Sequence, residues 1–355
     1  MSMPEYAYWK QSISEMHYAL VDPVVRGKFK FSKTDKIATA GSCFAQHIAR
    51  YLQSKKYNYF VTETIHPLAS REVRLASGYG DFSARYGNIY TSRQLLQLFD
   101  RAFGDFEPKE DTWELANGRF VDPFRPRVEP NGFVSIAELQ EDRKKHLKAV
   151  REAFKELDVF VFTLGLTECW SSNEDGAVFP LCPGVSGGDF DPRKHIFKNL
   201  NTDDVSSDMI LFINKLRSIN PQAKVVLTVS PVPLVATAMD QHVLVSTTYS
   251  KSVLRVAAET IVDQLEEVAY FPSFEIITGG YARGRYFAQD NRTVQKNGVE
   301  HVMRLFMKHY ASEVETSESV QPESDETMHQ KHIEEMETFI RVNCDEEELE
   351  KPNKP

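Results

Sequence analysis

The chain has 355 residues, 41% hydrophobic and 26% charged, enough apolar mass for one large core or two modest ones. Its net charge of −9 is uneven: from Glu313 onward there are 14 acidic and 4 basic residues, whereas the rest carries 38 basic and 37 acidic. A near-neutral body excludes nucleic acid as the expected partner. No run reaches the roughly 20 apolar residues of a membrane span, and the start "MSMPEYAYWKQSISEM" lacks the basic-then-apolar pattern of a secretory signal.

A cytoplasmic protein is therefore expected, with Cys43, Cys169, Cys182 and Cys344 as reduced thiols. The cysteines show no CxxC spacing, so no zinc site is expected, and nothing implies another metal or an organic cofactor.

In chain order, "KIATA" reads as a short buried strand, followed by "FAQHIARYLQSK" with Phe44, Ile48, Tyr51 and Leu52 at helical spacing. "YNYFVT" reads as a strand. "SRQLLQLFDRAF" is a helix capped by Thr91 or Ser92, and "LQEDRKKHLKAVREAFKEL" is a long helix running into the strand "DVFVFTLG". "DDVSSDMILFINKLRSIN" is a helix, "AKVVLTVSPVP" a strand closed by prolines, and "SKSVLRVAAETIVDQLEEVA" a long helix. "FEIIT" reads as a strand and "NGVEHVMRLFMKHY" as the last helix of the body. Solidly apolar strands alternating with helices imply a parallel sheet covered on both faces, a three-layer α/β/α domain over residues 1–312. Residues 313–355 are expected to be an acidic, largely disordered tail. "MHQKHIEEMETFIRVNC" within it has the pattern of one amphipathic helix, suited to a protein partner.

Ligands of an open parallel sheet bind beyond the carboxyl ends of its strands. Three segments fall there: Gly41-Ser42-Cys43-Phe44, Gly165-Leu166-Thr167-Glu168 and Ser230-Pro231-Val232-Pro233. A serine at a strand-to-helix turn is either a helix cap or a nucleophile whose neighbouring amides favour developing negative charge. Cys43 is a rival nucleophile, since a helix N-terminus lowers a thiol's pKa. Gly165 allows close backbone approach and Thr167 offers a hydroxyl to an oxyanion. The Gly- and Pro-rich stretch from about 78 to 133 reads as an excursion building the substrate side, and "FPLCPGVSGGDFDP" as a lid. Arg85 and Tyr86, and Arg283 and Arg285, are candidates for gripping anionic or sugar groups.

"GSCFA", "GLTE", "SARYGNIYT" and the "SPVPL" and "YSKS" segments resemble the GSCFA family over roughly Phe31 to Tyr310. That family is similar to the SGNH/GDSL esterases. The resemblance implies a flavodoxin-like α/β/α fold and a serine site for acyl-ester hydrolysis or O-acyl transfer, with a polysaccharide or glycan among the substrates. It puts the nucleophile on Ser42 and the oxyanion block on Gly165 and Thr167, with Glu168 at the fourth position. The lone-glycine block falls on Gly87, with Asn88 beside it. The D-x-x-H block falls on Asp290, but Thr293 stands where the histidine belongs.

His301, eleven residues after Asp290, is then the expected base, oriented by Asp290, with His242 and His66 in reserve. The expected function is a serine esterase or acyltransferase acting on an acylated small molecule or glycan. The other reading is a non-catalytic carbohydrate-binding or regulatory module that kept the fold and lost the base.

Overall fold

The computed structural model describes residues 3–312; the acidic tail and the helix expected within 328–344 lie outside the described residues. The elements run β1 (Ile37–Gly41), α1 (Cys43–Ser54), α2 (Arg71–Ala76), α3 (Ser92–Phe103), β2 (Trp113–Glu114), β3 (Phe120–Val121), α4 (Ile136–Glu156), β4 (Val159–Leu164), β5 (Glu168–Ser172), β6 (Val178–Phe179), β7 (His195–Asn199), α5 (Thr202–Ile219), β8 (Lys224–Val229), α6 (Val243–Gln264), β9 (Val268–Tyr270), α7 (Ser273–Thr278) and α8 (Lys296–Tyr310).

The central sheet is parallel, in the order β1-β4-β8-β9. Strand side chains alternate in direction, so each strand feeds two cores. Phe160, Phe162 and Leu227 face the layer made by α3, α4, α5 and α6, while Val159, Val161 and Val226 face α1, α7 and α8. Every residue of β1 and β4 is buried, which is why they read as continuous apolar runs. The three-layer α/β/α arrangement expected from the alternation is present.

The "YNYFVT" segment is reduced to a bridge, Tyr59 beside Ile37, with Ile37 N–H on Asn58 O at 3.0 Å and Phe60 N–H on Ile37 O at 2.9 Å. Counting that bridge as an edge gives the 2-1-3-4-5 order of a flavodoxin-like sheet. "FEIIT" is helix α7, not a strand. The last strand, "VAY", comes just before it, and the Phe271-Pro272 corner stops the strand and starts the helix, which buries Ile276 and Ile277. The Gly165-Leu166-Thr167-Glu168 turn opens not a helix but β5, centre of a small antiparallel sheet β6-β5-β7. Helix α3 begins where expected: Thr91 and Gln94 form a reciprocal capping box, and Gly104 ends the helix in the left-handed region.

Gly41, the last residue of β1, has φ +136°, and a Cβ built there would lie 2.5 Å from Thr163 O and 2.8 Å from Thr163 Cβ. Neither the backbone conformation nor the space admits a side chain. Gly41→Ala should therefore destabilise the fold by about 3 kcal/mol or more, read as a lower urea midpoint at unchanged m-value.

Candidate active site at the Ser42 turn

Ser42 occupies the N-cap position of α1 but makes no side-chain capping bond. The residue is 4% exposed, and its Oγ is enclosed without a hydrogen-bond partner. A capping serine would have spent that hydroxyl on a first-turn amide. An unpaired buried hydroxyl instead costs about 1–3 kcal/mol, which is tolerated where function needs it. The Thr163 hydroxyl on the adjoining strand is also buried without a partner. Ser42 is pressed from the other side by Gly165, where a Cβ would stand 3.0 Å from Ser42 Cβ. Cys43, the rival, is half-buried at the first position of α1.

The turn after β4 does not act as expected. The Gly165 N–H is spent on Tyr90 O at 3.1 Å, shared with Leu166 N–H at 2.9 Å, so it does not offer itself to an oxyanion. The Thr167 hydroxyl is wholly buried and donates to Asn199 Oδ1 at 2.6 Å, while Thr167 N–H donates to Ser250 Oγ at 3.2 Å. Glu168 does not reach toward substrate: its carboxylate accepts from Thr237 Oγ1 at 2.6 Å and Ala238 N–H at 3.1 Å, tying down the loop after β8. The turn is a clamp. Of the expected donors, Gly87 and Asn88 stand in the wall of the main cleft, Asn88 accepting from Gln46 Nε2 at 3.4 Å. Ile89 N–H binds Gly41 O at 2.8 Å, which fixes this segment beside Ser42.

The histidine expected as base is elsewhere. His301 Nδ1 lies 2.6 Å from Tyr286 Oη and its Nε2 3.0 Å from Val21 O, inside the core between α8 and the N-terminal segment. Both ring nitrogens are engaged, and burial with Arg304 nearby pushes the imidazole down to about 4. Asp290 does not orient it. The Asp290 carboxylate closes its own turn, accepting from the backbone of Arg292 and Thr293, both at 2.9 Å, and from Thr293 Oγ1 at 2.5 Å. This turn does sit at the carboxyl end of the sheet, because Arg292 reaches Pro233 O after β8 at 3.3 Å. Thr293 thus offers a hydroxyl at the position where the resemblance expects a histidine. His242 caps α6, exposed, with Nδ1 on Leu244 N–H at 3.1 Å, and exposed His66 accepts from Leu68 N–H at 3.3 Å. His47, on α1, has its imidazole pushed down to about 3 by burial and Arg50, too weak a base to hold a serine's proton.

A cleft of about 840 Å³, within the usual range for a ligand site, reaches α1 at Gln46 and the loop at Gly87 and Asn88; Ser42 and Gly165 are not among its lining residues. The excursion and the expected lid both wall it: Gln46, Asn88, Phe124 and Arg125 face Gly184 to Asp189 across it. Two expected substrate contacts are structural instead. The guanidinium of Arg85 is spent on Ser77 O, Tyr79 Oη, Asp142 and Val128 O. The Tyr86 hydroxyl donates to Thr39 O, leaving its ring in the cleft wall. Arg283 and Arg285 are exposed on the loop after α7, outside the cleft lining, with Arg285 over the ring of Tyr18.

A model of the GSCFA family matches residues 36–306. The chain belongs to the GSCFA family. No curated protein matches it. Among solved structures it is similar to a mutant acetyl esterase with acetate ion, at 14% identity and TM-score 0.33, covering 76% of this chain and 92% of that one. It is also similar to a family 3 carbohydrate esterase of Clostridium thermocellum, at 11% identity and TM-score 0.27, covering 78% and 94%. Likeness at this level says nothing of substrate or chemistry.

Three polar residues at this GSCFA turn escape a reading of motifs: Asn199, Ser250 and Lys251. Each contacts the clamp from a distant part of the chain. Lys251 did leave a signal, since it falls on the same helical stripe as buried Leu254, Ala258 and Ile261, where a charge is out of place. For His301, burial depresses the folded pKa, so the unfolded chain binds the proton first. Stability should fall as pH drops from about 6.5 toward about 4. His301→Gln should flatten that part of the stability–pH curve while leaving covalent labelling of Ser42 intact.

Proposed function

We propose that the chain cleaves or transfers acyl groups from an oxygen ester through Ser42, its substrate an O-acylated glycan or small polyol. The observation that carries this reading is the Ser42 hydroxyl: enclosed, unpartnered and not capping the helix on whose N-terminus it sits. A family resemblance at the same five residues supports it. In this reading Ser42 Oγ attacks the ester carbonyl, and the first-turn amides of α1 stabilise the oxygen that becomes negative. The alcohol leaves with a proton, and water or a second hydroxyl releases the acyl group. Water makes the protein an esterase and a sugar hydroxyl makes it a transferase. The mixed polar and aromatic walls of the cleft suit a polyhydroxylated substrate.

The second reading, a carbohydrate-binding or regulatory module without chemistry, is favoured by one observation. Thr293 occupies the position of the expected histidine, and its hydroxyl is bonded to Asp290.

Intact mass after incubation with a fluorophosphonate separates the two. The esterase reading expects one adduct on the wild type and on Cys43→Ala and none on Ser42→Ala. An adduct lost only in Cys43→Ala moves the chemistry to the thiol, and an unmodified wild type supports the binding module. Removing 313–355, proposed as a docking segment for a protein partner, should leave the labelling rate within about twofold.

A further inference from the structure

Lys251 is buried, 3% exposed, on the inner face of α6, the only lysine so enclosed among the described residues. Its Nζ donates to Gly165 O at 2.7 Å. Gly165 is the residue against which Ser42 packs, its would-be Cβ 3.0 Å from Ser42 Cβ. The Lys251 ammonium and the Ser42 side chain therefore both contact the same glycine, one at its carbonyl oxygen and the other, through Cβ, at its Cα. Lysine is rarely buried, because removing its charge from water is costly. The neighbouring Ser250 hydroxyl accepts the Thr167 N–H, so two consecutive residues of α6 hold the clamp by its backbone.

We propose that Lys251 is a positioning residue for the Ser42 centre. Fixed on the Gly165 carbonyl, its ammonium holds the clamp against Ser42, and its positive charge favours negative charge on Ser42 Oγ and on the oxyanion that follows. The proposal rests on the serine reading above. It accounts for a centre in which the described histidines are spent, exposed or too weak. The Ser42 Oγ electron pair forms the bond to the carbonyl carbon, the carbonyl π pair moves onto its oxygen, and the serine proton passes to the alcohol oxygen as that pair returns and the ester C–O bond breaks. Lys251 neither takes nor gives a proton. A unit charge acts strongly where water is excluded. The Glu168 carboxylate of the same turn is directed to Thr237 and Ala238, and Lys198, Arg93, Asp208 and Asp204 are the charges felt at the next residue of β5, Cys169.

The test is the rate of fluorophosphonate labelling of Ser42 against pH in the wild type, Lys251→Gln and Lys251→Arg, with folding checked by thermal melting. Gln keeps a donor for the Gly165 carbonyl and removes the charge; Arg keeps both. The expected result is a loss of about ten- to a hundredfold in Gln, with its labelling shifted to higher pH, and a rate within about fivefold of wild type in Arg. If Gln does not fold, Arg alone decides: it must label like the wild type. Equal loss in a folded Arg variant would overturn the proposal, since a positive charge and a donor kept at this position would then not suffice. Labelling unchanged in Gln would overturn it while leaving the serine reading standing. An unlabelled wild type would remove the serine reading and this inference together.

Discussion

The close approach of β1 and β4 at their carboxyl ends governs everything around Ser42. Gly41 and Gly165 are the two places where the strands' ends, the Ser42 turn and the segment around Tyr90 come within contact distance without side chains between them. Glycine at 41 satisfies a left-handed φ as well as the space, so the turn is held by backbone geometry and not by a bond to the serine side chain. That leaves the hydroxyl unspent. A cap would have been the cheaper arrangement for α1, by about 1 kcal/mol.

The parallel sheet was legible because its strands are buried on both faces and so are written as unbroken apolar runs. The start of α3 was legible because its cap, Thr91, stands next to the periodic run it opens; its Gln94 partner came only with the structure. "FEIIT" was misread because a short apolar run carries no period of its own, and the corner at Phe271-Pro272 decided it. At the site, Ser42 could be picked out because the strand, glycine and helix around it are local. The clamp could not: Thr167 meets Asn199, Gly165 meets Tyr90 and Lys251, and no periodicity reports contacts 32 to 86 residues apart. His301 was drawn toward the site by its distance from Asp290 along the chain, whereas its place on the buried stripe of α8 committed it to Tyr286 and Val21.

One wall of the cleft is backed by a buried ionic network. Asp122 has no exposure; burial opposes its ionisation, but the guanidiniums of Arg125, Arg143 and Arg101 hold its carboxyl well below the usual range. Burial likewise works against Glu63, yet His146 at 2.7 Å and Arg125 bring its pKa down to about 2. Arg125 links the two directly, 3.1 Å from Asp122 and 4.0 Å from Glu63, pairs with Asp142 at 2.6 Å as well, and itself lines the cleft. A network of this kind is costly to break at any single member. It gives the cleft one rigid side, facing a loop whose glycines at 184, 187 and 188 all have positive φ.

The enclosure of the Ser42 hydroxyl has a kinetic side. A nucleophile that solvent does not touch in the resting fold meets a reagent only while its surroundings are open. Its observed rate is then the product of an opening equilibrium and an intrinsic chemical step. In the proposed serine reading the same closure would hold off bulk water and stray electrophiles, and a large acyl donor that meets the cost of opening through contacts with the cleft would gain on small esters that make none. Reactivity and selectivity would then share one origin in the packing of two glycines.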